Sequence, residues 1–116
     1  MRHKRDNLAY LLHMQDAIDK LKNYIGKHSQ EDFFKDEWDH DAVVRNLEII
    51  GEAANNLSAS FRDSHKEIPW RKIIDLRNIV VHDYADIDIT IIWNIISSYI
   101  PELYEQIHEV ISAFKK

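Results

Sequence analysis

Two glycines and two prolines in 116 residues leave this chain almost no turn chemistry. Sandwiches and barrels punctuate their strands with turn residues every roughly 8–12 positions, and nothing here can do that. The expected fold class is all-α. With no cysteine, the chain has neither a disulfide framework nor a thiolate metal site. No apolar run approaches the ~20 residues that span a bilayer. The basic start Met1-Arg2-His3-Lys4-Arg5 leads into Asp6-Asn7 and not into the apolar region of a signal peptide. These features predict one soluble, cytoplasmic domain over residues 1–116. The net charge of −5 rules out a chain-wide basic footprint. Any RNA contact therefore needs a local basic patch, or two chains combining theirs.

Hydrophobic spacing divides the chain into four main helices. Residues 6–26 form the first, with Leu8, Leu11, Leu12, Met14, Ile18, Leu21 and Ile25 near one stripe, Asp6 as N-cap and Gly26 as C-cap. Residues 29–41 are acidic, and Ser29 can cap a short helix there that carries Phe33 and Phe34. Asp39-His40-Asp41 is not expected to hold a metal, because adjacent residues point in different directions and no second ligand cluster stands out. Residues 36–60 form the second long helix, with Trp38, Val43, Val44, Leu47, Ile50, Ala54 and Leu57 as its stripe. Gly51 in its middle costs about 1 kcal/mol against alanine. Close approach of another helix, beside Ala53 and Ala54, would explain it. If that helix belongs to a second subunit, Gly51→Leu yields a monomer. Residues 61–68 read as a connector. Ile68-Pro69-Trp70 opens a third helix that runs to about Asp83, with Ile73, Leu76, Ile79 or Val80, and Val81 toward the core. Residues 85–89 break the chain, with Asp88 as the next N-cap. A fourth helix follows on Ile92, Ile95, Ile96, Tyr99, Leu103, Ile107, Val110, Ile111 and Phe114, and Pro101 must kink or split it near Ile100. Short connections between four such helices predict an up-and-down bundle.

Within this frame the stretch Leu76–Tyr84 is unusual. It sets Arg77, Asn78, His82 and Tyr84 among apolar residues just before the expected break. Asn78 and His82 are four apart and share a helix face. Arg77 and His82 are five apart, about 140° around the axis, so they converge only if the arginine reaches around or the helix ends near His82. An arginine and a histidine suit phosphoryl chemistry: the guanidinium binds phosphate through two donors, and the imidazole moves protons near neutral pH. Asn78 can orient either. In RNA the 2′-hydroxyl is an internal nucleophile, so cleavage needs no metal and no covalent enzyme intermediate. The reaction wants both a base and an acid, which a two-fold dimer would supply. The plainer alternative is an Arg77 salt-bridged to Glu48 or Glu52, a hydrogen-bonded core His82, and Tyr84 as a wedge at the helix end.

The segment Arg77-Asn78-Ile79-Val80-Val81-His82-Asp83-Tyr84 resembles the R-x-x-x-x-H-x-Y signature of the HepT-like branch of the HEPN superfamily. Ile68–Leu76 resembles that family's lead-in, and Val44–Ala54 its second helix, so the likeness covers essentially the whole chain. The resemblance implies a HEPN-like helical homodimer with two Arg–His motifs meeting in a cleft, and a metal-independent endoribonuclease that needs no cofactor. It further implies a toxin of a prokaryotic toxin–antitoxin pair, whose partner is a minimal nucleotidyltransferase antitoxin that silences it by AMP transfer to the signature tyrosine. Carried over, His82 is the acid–base group, Arg77 the phosphate ligand, Asn78 the positioning residue and Tyr84 the AMP acceptor. Asp83 and Glu52 are supporting residues. Two other readings stand beside this one: a non-catalytic module whose cleft binds a nucleotide or the partner, and a purely structural bundle.

Overall fold

Residues 4–82 and 89–114 are described by a computed structural model, with side chains for 6–78 and 89–114, and they form helices with no strand among them. The order is α1 (Lys4–Lys27), α2 (Gln30–Lys35), α3 (Glu37–Asn56), α4 (Ala59–Ser64), α5 (Trp70–His82), α6 (Ile89–Asn94) and α7 (Ile100–Phe114), with a π-helical turn at Ile95–Tyr99 between the last two. The main packed pairs are α3 on α5, α1 on α3 and α1 on α7.

Side-chain contacts give the directions. At the start of α1, the buried Asn7 donates to Ser58 Oγ at 3.2 Å and accepts from the Ser58 N–H at 3.0 Å, just past the end of α3. At the other end, the Tyr24 hydroxyl donates to Asp39 at 2.7 Å, near the start of α3. These two helices therefore run antiparallel. Along α1 and α7, Gln15 meets His108 and Lys22 lies over the Tyr104 ring, so this pair is antiparallel as well. The result is the expected up-and-down all-α bundle. Its buried residues form one cluster that runs from Leu11, Met14 and Ile18 through Leu47, Ile50 and Ile73 to Ile96, Leu103 and Ile107.

Capping explains most boundaries. Ser29 and Asp32 form a reciprocal capping box on α2, and the Ser29 backbone N–H holds the Asp32 carboxyl below the usual carboxylate range. Asp36 then caps α3 through the Trp38 and Asp39 N–H groups. Ser58 caps α4, and the Arg62 guanidinium donates to the Ala54 and Asn55 carbonyls at 3.3 and 3.4 Å, satisfying the end of α3.

Several sequence expectations need correction. Asp6 lies in the first turn of α1 and is not its N-cap, because the helix already includes Lys4. Its charge still suits the positive end of the helix. Gly26 lies inside the last turn of α1 and does not take the left-handed cap conformation. Leu12 is exposed, off the stripe. Trp38 is 82% exposed. Traced back one turn, the α3 stripe of Val43, Val44 and Leu47 passes through Asp39 and His40 and misses Trp38. The second long helix stops at Asn56, and half of the expected connector is helix α4. The cause is Leu57, which is buried in an extended conformation and turns the chain out of α3.

Pro101 splits the last helix, as expected. It has no N–H to give, and its ring crowds the carbonyl four residues back. The chain widens by one residue per turn over Ile95–Tyr99, and the Ile100 N–H reaches back to the Ile95 carbonyl. The Ser97 hydroxyl donates to the Trp93 carbonyl at 2.7 Å within this turn. The expected break at residues 85–89 and the Asp88 cap fall almost wholly outside the described residues, which resume at Ile89.

Candidate active site

The site is built where α3 and α5 come closest. A Cβ placed on Gly51 would lie 2.8 Å from the Arg77 backbone nitrogen, 2.9 Å from its Cβ and 3.1 Å from the Ile74 carbonyl oxygen. Only a glycine lets the α5 backbone settle there. The close approach expected at Gly51 is thus made by α5 of the same chain. It gives no ground for reading Gly51 as a subunit contact. Ile73 and Leu76 bury the inner face of α5, which fixes Arg77 and Asn78 beside the contact.

The residue after Gly51 completes the arrangement. Arg77 Nη1 donates to Glu52 Oε1 at 2.9 Å, with the arginine side chain 28% exposed and the glutamate 58%. Among the described residues this bond uses one of the guanidinium's five donors. The rest remain able to take a phosphate. Of the two acidic partners considered from sequence, Glu52 is the one that pairs.

Arg77 and Asn78 line a cleft of about 470 Å³ between the end of α3, the α4–α5 corner and α5. Its wall carries four cationic side chains, Arg62, Lys66, Arg71 and Arg77, against the carboxylates of Asp63 and Asp75. The cleft is thus a local positive patch on an acidic chain. Lys72, next to Arg71 in the sequence, turns away and lies 4.6 Å over the Tyr99 ring. Arg62 is engaged as the donor at the end of α3.

His82 is the last residue of α5, five positions and about 7.5 Å along the axis from Arg77. Its side chain lies outside the described residues, as do Asp83 and Tyr84 in full. Of the six residues singled out from sequence, the structure brings together Arg77, Asn78 and Glu52. Sequence reasoning missed Asn55, which lines the cleft from α3. Its signal was present, because Glu52 and Asn55 are one turn apart on one face. Among the described residues no group of three or more histidine, cysteine, aspartate or glutamate side chains could hold a metal ion. The Asp39-His40-Asp41 run is divided locally: Asp39 accepts from Tyr24, and His40 Nε2 lies 2.7 Å from the Phe33 carbonyl.

Fold and site together define an antiparallel helical bundle that presents a glutamate-held arginine in a cationic cleft. The family model described as ribonuclease HepT-like matches residues 14–110, and the chain belongs to this HepT-like ribonuclease family of the HEPN superfamily. Among similar proteins, Putative RNase TTE0752 of Caldanaerobacter subterraneus subsp. tengcongensis is 40% identical over 106 residues, 91% of this chain and 95% of that protein. Probable ribonuclease HepT of Thermococcus cleftensis is 36% identical over 86% of this chain and 91% of its own. Gamma-glutamylcyclotransferase and putative RNase MJ0434 of Methanocaldococcus jannaschii is 33% identical over 97% of this chain, which spans only 51% of that longer protein. No solved structure matches the chain. Among the described residues no helix is long and apolar enough to cross a membrane.

Proposed function

We propose that this chain is a metal-independent endoribonuclease that acts in the cytoplasm as a single-domain homodimer, with a composite Arg/His site where two copies meet. The observation that carries the reading is Arg77, pinned by the Gly51 contact and by Glu52 in a cationic cleft, in a chain of the HepT-like ribonuclease family. His82 of one copy takes the proton of the 2′-hydroxyl. The freed oxygen attacks the adjacent phosphorus and the bond to the 5′-oxygen breaks. The leaving oxygen receives a proton from the second copy's histidine, and the products are a 2′,3′-cyclic phosphate and a 5′-hydroxyl. Arg77 neutralises charge on the phosphate oxygens as the fifth bond forms, and Asn78 orients the phosphate or the imidazole. Asp83 supports His82 from the next position, as Glu52 supports Arg77.

The same reading makes the chain the toxin of a toxin–antitoxin pair, silenced by a minimal nucleotidyltransferase antitoxin. Transfer of AMP joins the Tyr84 phenolic oxygen to the α-phosphorus of a nucleoside triphosphate, with pyrophosphate leaving and the phenolic proton lost to solvent. The product places a bulky anion two residues from His82, where it can occupy Arg77 and repel RNA.

The test is expression of wild type, His82→Ala, Arg77→Ala and Tyr84→Phe in a bacterial host, with growth and total RNA followed. Wild type and Tyr84→Phe arrest growth and fragment RNA, whereas the folded His82→Ala and Arg77→Ala do neither. Intact RNA and normal growth with wild type would instead favour the second reading, a cleft that binds a nucleotide or the partner, for which the net charge of −5 speaks.

A further inference from the structure

The cleft extends well beyond the arginine that the proposed chemistry uses. Arg71, Ile74, Asp75 and Asn78 share one face of α5 by helical spacing, and Arg71 and Asn78 are seven positions and about 10 Å apart along the axis. All four line the same cleft as Lys66 on the α4–α5 corner. Its floor is apolar, with Ile68 and Trp70 buried and Ile74 half-buried. The Trp70 indole is locked by its N–H to the His65 carbonyl at 3.0 Å. Asn55, exposed on the opposite wall, carries an amide with both a donor and acceptors.

The cations of this region divide by their local tasks. Arg62 closes the end of α3, Arg77 pairs with Glu52, and Lys72 sits on Tyr99 outside the cleft. Lys66 and Arg71 are exposed, and among the described residues neither has an ion-pair or hydrogen-bond partner through its side chain. Helix stability does not account for Arg71 either. It stands in the first turn of α5, which has no acidic residue and where the helix dipole disfavours a cation.

We propose that Lys66 and Arg71 form a second phosphate subsite, holding a backbone phosphate one or two nucleotides along the strand from the one at Arg77. The intervening nucleotide lies on the Ile68–Trp70–Ile74 floor with a base edge within reach of Asn55. The cleft then selects a single-stranded RNA segment of several nucleotides over an isolated phosphodiester. Asp63 and Asp75 share the wall, which confines phosphate to the cationic positions and leaves carboxylates only for base amino groups. The inference rests on the proposed RNA-cleaving reading, but its measurement does not depend on cleavage.

The experiment measures binding of a labelled, uncleavable 2′-O-methyl single strand of about eight nucleotides, a length within the usual site sizes, by fluorescence anisotropy across a salt series. The proteins are wild type, the double variant Lys66→Ala/Arg71→Ala, and Lys72→Ala as a control that removes one positive charge outside the cleft. The double variant weakens binding roughly tenfold and lowers the salt slope by about 1.4, because each lost phosphate contact on a single strand contributes about 0.7. The control binds within about twofold of wild type and keeps the wild-type salt slope. Equal weakening per charge removed, about threefold for Lys72→Ala, would reduce the effect to general charge and overturn the subsite. So would unchanged binding by the double variant, or no binding by wild type. Cleavage of an all-RNA strand of the same length is followed in parallel. Binding that depends on Lys66 and Arg71, without any cleavage, supports the subsite while refuting the nuclease reading.

Discussion

Replacing Gly51 with alanine tests the close approach on which the site is built. In an ordinary helix position the change would stabilise by about 1 kcal/mol through backbone entropy. Here the new methyl group meets Arg77 N at 2.8 Å, Arg77 Cβ at 2.9 Å and Ile74 O at 3.1 Å. Two of these are backbone atoms of α5, which cannot rotate out of the way as a long side chain can. Overpacking of this kind costs typically about 1–3 kcal/mol, and the absence of a flexible neighbour puts it in the upper part of that range. The net expectation is a loss of about 1–2 kcal/mol, seen as a fall in Tm of roughly 5–10 °C by far-UV circular dichroism. RNA cleavage should fall further than stability does, because relief of the clash moves Arg77 away from Glu52. Gly26→Ala is the control. Nothing lies within 4 Å of a Cβ there, and its Tm should be unchanged or slightly raised. A Gly51→Ala protein as stable as wild type would refute the argument that α5 rests directly on this glycine.

Two further predictions concern the frame. Asn7→Ala removes a buried amide that both donates to and accepts from Ser58 and strands the Ser58 N–H. It should lower stability by about 1–3 kcal/mol, measured by urea unfolding at unchanged slope; a loss well below this would mean that water replaces the amide. The Tyr99 hydroxyl has no hydrogen-bond partner among the described residues, and burial, aided by the nearby charge of Glu102, pushes its pKa up to about 12. Its folded value thus exceeds the unfolded value near 10, so the native state holds the proton more tightly. The associated stability is fully present below about pH 10 and is lost as pH rises toward 12. Tyr99→Phe should flatten that part of the alkaline unfolding curve. Burial and the Asp39 hydrogen bond raise Tyr24 as well, so an alkaline slope that persists in Tyr99→Phe but vanishes in Tyr24→Phe would assign it to the other tyrosine.

The sequence by itself determined the class of fold and the chemistry on offer. With two glycines and two prolines the chain could only be helical. Apolar spacing located the stripes of Val43, Val44, Leu47 and Ile50 and of Leu103, Ile107 and Val110, all of which are buried. Ser29 and Pro101 acted locally, through a capping hydroxyl and a missing N–H, and both are legible without any long-range contact. The spacing of Arg77, Asn78, His82 and Tyr84 along the chain is legible too, along with its likeness to a family signature.

What needed the tertiary structure was whatever depends on residues far apart in the chain. Leu57 leaves α3 because it is buried, and Asn7, 51 positions away, holds Ser58 in the cap that starts α4. Trp38 is apolar but lies one position off the stripe that the packing of α3 buries, and it stays 82% exposed. No spacing rule could choose between Glu48 and Glu52 for Arg77, since the choice follows from the level at which α5 crosses α3. Gly51 decides that level by letting the two backbones touch. The same crossing turns Lys72 toward Tyr99 and leaves Lys66 and Arg71 on the cleft. Local sequence sets which residues are helical and which carry charge, but the side chains that face one another are fixed only when the helices pack, because packing is where their relative rotation and height are determined.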